Sequence, residues 1–282
     1  MSDTENVLFE RVAPGVGIVT LNRPKRGNGV TPELARDLAQ LLDDLEPDRS
    51  LRSVVITGAG KQFCAGADLV AFRQYLRDEY PQTGEPFNAR ILFPVTQRLT
   101  TSRIVFVAAV NGGATAGGLD LALACDLRVA STLAKFGETY INLGLVPGNG
   151  GTWFLPRLVG SGVAAEMALT GEVFGAERAL RLGIVSKVVN PDELMVVTLE
   201  MARAIAAKPW RALEATKKAL RSTWEADLIG SMDSSYWALS ALHIQRDLSE
   251  AIDAFLEKRA PVFNRDVDDS RDEGGPSPRG TP

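Results

Sequence analysis

The chain has 282 residues, 45% hydrophobic and 23% charged, which suits one large globular domain or two small ones. A net charge of −4 with no basic block argues against nucleic acid as a partner, and no apolar run reaches the roughly 18 residues a membrane span needs. His243 is the single histidine, so a histidine-rich zinc site is excluded and a Ser–His–Asp hydrolase would depend on that one residue.

Residues 7–12 and 16–21 read as two strands around Pro14-Gly15, a hairpin signal. The loop LNRPKRGNGV follows. Thr31 is then an N-cap with Pro32 at the first helical position, and Leu34, Leu38, Leu41, Leu42 and Leu45 recur at helical spacing. SVVIT at 53–57 is a short buried strand ending in Gly58-Ala59-Gly60. The segment 78–90, polar and rich in Pro and Gly, reads as a mobile surface loop.

The apolar run 104–110 is too short for a membrane and suits a buried strand. Glycines at 112, 113, 117 and 118 break it before LDLALACDL, which reads as a buried helix with one early acid, Asp120. LRVAS is the next strand, and KFGETYINLGLVPGNGG reads as a long irregular loop. Helices are expected near 161–170 and 176–182, a strand at IVSKVV, and a helix from Pro191 to about Ala207. The pattern is helical again to about 259, with exposed-looking Trp224, Tyr236 and Trp237 that a neighbouring subunit would cover. The tail 266–282 is charged and Pro/Gly-rich, the composition of a disordered segment. No repeat of fixed period occurs. The recurring unit is strand, strand, helix.

Cys64 and Cys125 lie in apolar surroundings and read as buried free thiols. With no leader in the sequence, a cytoplasmic location is expected. His243 reads as a packing or surface residue.

Two turns, AGAD at 65–68 and TAGGLD at 115–120, each end a strand and offer free N–H groups. Converging on one carbonyl oxygen, two such donors make an oxyanion hole, each worth about 3 kcal/mol in the transition state. Taken alone, their spacing reads first as plain tight turns. A nucleotide site is disfavoured, because neither turn is GxxxxGK[ST] and Gly58-Ala59-Gly60 lacks a downstream glycine at dinucleotide spacing.

Several segments in order, LNRPKRGN, VVITGAGKQFCAGADL, AAVNGGATAGGLDLALACDLRVAS, KFGETYINLGLVPGNGGTWFLPRLVG and EAIDAFLEKRAPVF, carry a resemblance. Over about residues 7–265 the chain resembles the enoyl-CoA hydratase/isomerase, or crotonase, superfamily. The resemblance implies an α/β fold, a spiral of ββα turns followed by a helical trimerisation region. The corresponding divisions are 1–200 for the core with its CoA-thioester site, 201–265 for the oligomerisation helices and 266–282 for the tail. It implies a homo-trimer or dimer of trimers, and an acyl-CoA thioester substrate with no cofactor or metal beyond the coenzyme A of the substrate.

Carried onto this sequence, the family's oxyanion donors are the amides of Ala67 and Gly117. Coenzyme contacts fall on Lys25, Arg26, Gly27, Ala65, Asp68 and Leu69, with Phe255 and Lys258 reaching a neighbouring subunit's coenzyme. The family's two catalytic glutamates are both replaced, the first by Asp120 and the second by Tyr140. Asp120 reads as an acid or base, or as a helix N-terminal acid. Tyr140 is a poor base at neutral pH and a proton donor by type. Glu138, two residues earlier, reads as structural. Asn142 is open to an acyl group or to the loop backbone.

Ordinary hydration, with two carboxylates holding a water, does not fit this pair. GGTWFLPR resembles the ring-type isomerases of the phenylacetate branch. The expected activity is double-bond isomerisation or an atypical hydration. A decarboxylase or hydrolase of the same fold, a non-catalytic acyl-CoA-binding protein and a purely structural protein stand as alternatives.

Overall fold

A computed structural model describes residues 5–224 and 226–268. β1 (Val7–Ala13) and β2 (Val16–Leu21) form the expected antiparallel hairpin. α1 (Pro32–Leu45) starts at Thr31, whose side chain accepts from the Leu34 N–H, with Pro32 in the first turn. Its Leu34, Leu38, Leu42 and Leu45 face the core, as the spacing predicts.

Three passes of the chain then repeat one plan. β3 (Ser53–Gly58) leads to β4 (Gln62–Cys64), β5 (Val105–Val110) to β6 (Gly113–Thr115), and β7 (Leu127–Ser131) to β8 (Lys135–Gly137). The first strand of each pair joins a six-stranded sheet, in the order β1-β2-β3-β5-β7-β10. The second joins a four-stranded sheet, β4-β6-β8-β9. Here β9 is Phe174–Gly175 and β10 is Lys187–Val189. The repeated strands pair in parallel, Val55 with Val107 and Val107 with Leu127, so each pass climbs one step of a spiral.

Helices close the passes. α2 (Leu69–Asp78), α3 (Tyr80–Thr83) and α4 (Phe87–Thr101) follow β4. α5 (Gly117–Ala124) follows β6, and α6 (Gly151–Val159) with α7 (Ser161–Thr170) follows β8. α8 (Ala176–Arg181) joins β9 to β10, and α9 (Leu194–Ala206) packs across the large sheet.

The large sheet is covered on both faces, which explains its continuous apolar strands. Val54 and Ile56 enter the main core between sheets and helices, while Val55 faces Leu194, Ala202 and Ala206 of α9. Cys64 and Cys125 are buried and free, and burial pushes both thiols up to about 12, so neither is reactive.

Three expectations are corrected. The segment 78–90 is not one loop, because it holds α3 and the start of α4. Phe87 is buried and stacks on Phe72 at 4.8 Å, and Phe87, Ile91, Leu92, Val95 and Leu99 turn one apolar face to the core despite Pro94 inside the helix. The stretch after β7 is more ordered than expected, with β8, a 3-10 turn at Thr139–Leu143 and α6 within it. Trp224 packs edge-on against Trp153 of its own chain, at 4.5 Å between ring centroids.

The last helices are α10 (Trp210–Ser222), α11 (Leu228–His243), α12 (Arg246–Leu256) and α13 (Arg265–Asp268). The side chains of Ile229, Met232, Tyr236 and Trp237 on α11, with Ile252 and Phe255 on α12, are exposed, and Trp237 and Phe255 reach 72% and 83%. His243 is exposed at the end of α11. No described helix is long and apolar enough to cross a membrane. The remainder of the tail expectation, 269–282, lies outside the described residues.

Candidate active site

The two turns singled out by the sequence meet. On the first, Val30 pairs with the backbone around Ala67. Its N–H donates to the Gly66 carbonyl at 2.8 Å, and its carbonyl accepts from the Asp68 N–H at 2.9 Å. Both neighbours of Ala67 therefore face Val30. In an extended segment this turns the Ala67 N–H to the opposite side. Gly66 makes the turn with φ +86°.

On the second, Gly117 is the first residue of α5, and its amide is one of those a helix leaves without an internal partner. Ala116 before it sits at φ +46°, ψ −123°, a conformation that costs a non-glycine residue about 1–3 kcal/mol. That strain is held where the Gly117 amide is aimed. The two backbones touch: a β-carbon on Gly66 would lie 3.2 Å from the Gly117 nitrogen, and one on Gly117 would lie 3.6 Å from the Gly66 Cα. Gly118 is required for another reason, since a β-carbon there would fall 1.8 Å from the Cys64 carbonyl oxygen.

Tyr140 reaches the same place from the 3-10 turn after β8. Its hydroxyl lies 3.3 Å from where a Gly117 β-carbon would be. It donates to Asp120 Oδ2 at 2.6 Å and accepts from Asn149 Nδ2 at 2.8 Å. Burial, then the charge of Asp120, raise the phenol well above its ordinary range, so Tyr140 is neutral at physiological pH.

Asp120, one turn into α5, is fully buried behind that hydroxyl. It also accepts from the Asn149 N–H at 3.3 Å, and the Gly151 amide at the start of α6 faces it. Desolvation raises its pKa to about 6, and these donors oppose the rise.

Glu138 is also fully buried, beside Asp120. A β-carbon on Gly151 would lie 2.4 Å from Asp120 Oδ1 and 2.7 Å from Glu138 Oε1, so glycine alone leaves room for both carboxyls. The sequence marks Glu138 only as an acid in a polar-looking loop. An acid flanked by Phe136-Gly137 and Tyr140 within an apolar fold was the signal available. Ala116 and Asn149 carried no signal of their own. Asn142 packs against Gly171, at the end of α7, where a β-carbon would lie 2.8 Å from its Oδ1.

The expected coenzyme residues form a group next to these turns. Lys25 and Arg26 lie in a 3-10 turn, Pro24–Arg26, that ends on Gly27 at φ +59°. The Gly27 carbonyl accepts from the Ala65 N–H at 3.0 Å, joining the basic turn to the turn at 65–68. Leu69 is exposed at the start of α2. Asp68 is differently employed. Nearly buried, its Oδ1 accepts from the N–H groups of Val70 and Ala71 as the cap of α2, and its Oδ2 pairs with Arg23 at 3.1 Å and Arg26 at 3.5 Å. Phe255 and Lys258 stand at the exposed end of α12, and no hydrogen bond or ion pair among the described residues ties either to the basic turn.

Comparison with known proteins gives one answer at every level. The Enoyl-CoA hydratase/isomerase family profile matches residues 11–266. The (E)-benzylidenesuccinyl-CoA hydratase of Thauera aromatica is 37% identical over 258 residues, 89% of this chain and 96% of that one. The short-chain-enoyl-CoA hydratase of Clostridium acetobutylicum and the 1,2-epoxyphenylacetyl-CoA isomerase of Escherichia coli are each 35% identical over 258 residues, 91% of this chain and 97% of theirs. Among solved structures, the enoyl-CoA hydratase of Bacillus anthracis superposes with a TM-score of 0.87 at 32% identity, over 92% of this chain and 99% of that one.

Proposed function

The chain belongs to the enoyl-CoA hydratase/isomerase family and is an enzyme of that kind acting on acyl-CoA thioesters, and from that premise we propose that it shifts a double bond along an enoyl-CoA. The carrying observation is the hydroxyl of Tyr140, set beside Gly117 and bonded to Asp120 Oδ2 at 2.6 Å. The thioester oxygen accepts from the Ala67 and Gly117 amides. Lys25 and Arg26 offer charge to the coenzyme phosphates, with Gly27, Ala65 and Leu69 shaping its path. Asp68 supports that path by fixing Arg23, Arg26 and the start of α2.

The proton inventory closes without a metal or redox group. The C–H bond at the α-carbon breaks, its proton goes to the Tyr140 oxygen, and the phenol proton passes to Asp120 Oδ2. The electron pair delocalises onto the thioester oxygen as a dienolate held by two N–H donors. Tyr140 then gives its proton to the γ-carbon, and Asp120 restores the phenol. Hydration is disfavoured because the acceptor oxygens of Asp120 already face Tyr140, Asn149, Gly151 and Glu138, which leaves no pair of open carboxylates for a water.

The test is turnover of a β,γ-enoyl-CoA in heavy water. Conversion to the α,β isomer is expected, with the hydrogen taken from the α-carbon carried to the γ-carbon in preference to solvent deuterium. Hydration of crotonyl-CoA as the faster reaction, or no turnover of any enoyl-CoA, overturns the reading. The exposed apolar side chains of α11 and α12 support assembly as a trimer or dimer of trimers, with Phe255 and Lys258 brought to a neighbour's coenzyme. The two buried, unpaired cysteines support a cytoplasmic location.

A further inference from the structure

The mechanism above uses Asp120 and Tyr140 and leaves Glu138 without a task. Glu138 is as buried as Asp120, and among the described residues neither of its oxygens has a hydrogen-bond donor. With both groups ionised, Asp120 Oδ1 and Glu138 Oε1 would meet beside Gly151 in a dry site, each without a hydrogen-bond donor. Two like charges in contact in such a site do not persist. One proton between the carboxyls removes the conflict and supplies the missing donor.

The donors decide which group keeps the charge. Asp120 receives the Tyr140 hydroxyl, the Asn149 N–H and the Gly151 amide at the head of α6. For Glu138 the one hydrogen-bonding neighbour among the described residues is Asp120. Among the described residues no guanidinium or ammonium pairs with either, and Tyr140 is the one further titratable group acting on both.

We propose that Glu138 is a positioning residue that stays protonated in the resting enzyme and donates its proton to Asp120 Oδ1, so that the pair carries one negative charge and holds it on the oxygen facing Tyr140. This rests on the reading of Tyr140 and Asp120 given above. In turnover the pair passes from one negative charge to none as the phenol proton arrives on Asp120, and it never reaches two. Desolvation, and then the Asp120 charge, push Glu138 up to about 10, in keeping with this arrangement.

The proposal is tested first without substrate. The infrared spectrum of the ligand-free protein at neutral pH should contain a protonated-carboxyl C=O band that is absent from Glu138→Gln and retained in Tyr140→Phe. Absence of that band from the native protein overturns the proposal, whatever the enzyme is found to do. The second arm is the acidic limb of kcat/KM with a β,γ-enoyl-CoA. Glu138→Gln keeps a neutral donor and should leave the limb in place, while Glu138→Ala removes the donor and should move it up by about one pH unit. A downward shift in both variants means Glu138 was ionised, and overturns the proposal. If no enoyl-CoA is turned over but the band is present, the isomerase reading fails and the shared proton stands.

Discussion

At the scale of single residues, the proposed function turns on one hydroxyl and two carboxyls. Tyr140→Phe keeps the ring and removes the proton carrier, so kcat on a β,γ-enoyl-CoA should fall by roughly 10²–10⁴ with KM little changed, read by steady-state kinetics. Asp120→Asn leaves a group that cannot take the phenol proton, and a loss of similar size is expected. Because burial pushes the Asp120 carboxyl up to about 6, kcat/KM of the native enzyme should rise through that pH and level off above it. Stability carries a second signature. Glu138 has a folded pKa of about 10 against an ordinary 4.5, so the native state binds the extra proton between those values. Its contribution is therefore greatest below 4.5 and lost as pH rises. The native protein's melting temperature should fall more steeply between pH 5 and 9 than that of Glu138→Gln, as calorimetry would show. The sequence displays all three residues, but Asp120 and Glu138 are 18 positions apart, and neither burial nor mutual contact can be read from spacing.

At the scale of elements, the site is built where strand ends meet helix starts. The glycine turns at 65–68 and 115–120 were legible because glycines after apolar strands are a local signal. That α6 points its first amides at Asp120 was not, since its start, GNGGTW, has a loop composition. Gly151→Ala tests that helix: the added methyl would press on both carboxyls, costing about 1–3 kcal/mol in denaturant unfolding and lowering kcat as well. Asp68 tests the opposite case. Its oxygens cap α2 and hold two arginines, so Asp68→Ala should cost about 1 kcal/mol of stability and raise KM for the CoA ester only through the looser Arg26.

At the scale of the whole molecule, the spiral carries the candidate site and the proposed assembly falls to the last helices. Trp237 is 72% exposed on α11, amid Ile229, Met232 and Tyr236. Trp237→Glu should reduce the sedimenting species from three or six chains toward one, measured by analytical ultracentrifugation. A native protein that sediments as a monomer would remove the oligomeric reading. The sequence by itself determined the strand–strand–helix rhythm, the apolar strands and the glycine turns, because each depends on residues within a few positions of one another. Only the tertiary structure decided that Glu138 meets Asp120, that Asp68 pairs with Arg23 and Arg26 and that Trp224 packs inward. Those contacts join chain segments brought together by the climbing sheets, and the energy of a buried charge depends on what surrounds it in space rather than on its neighbours in sequence.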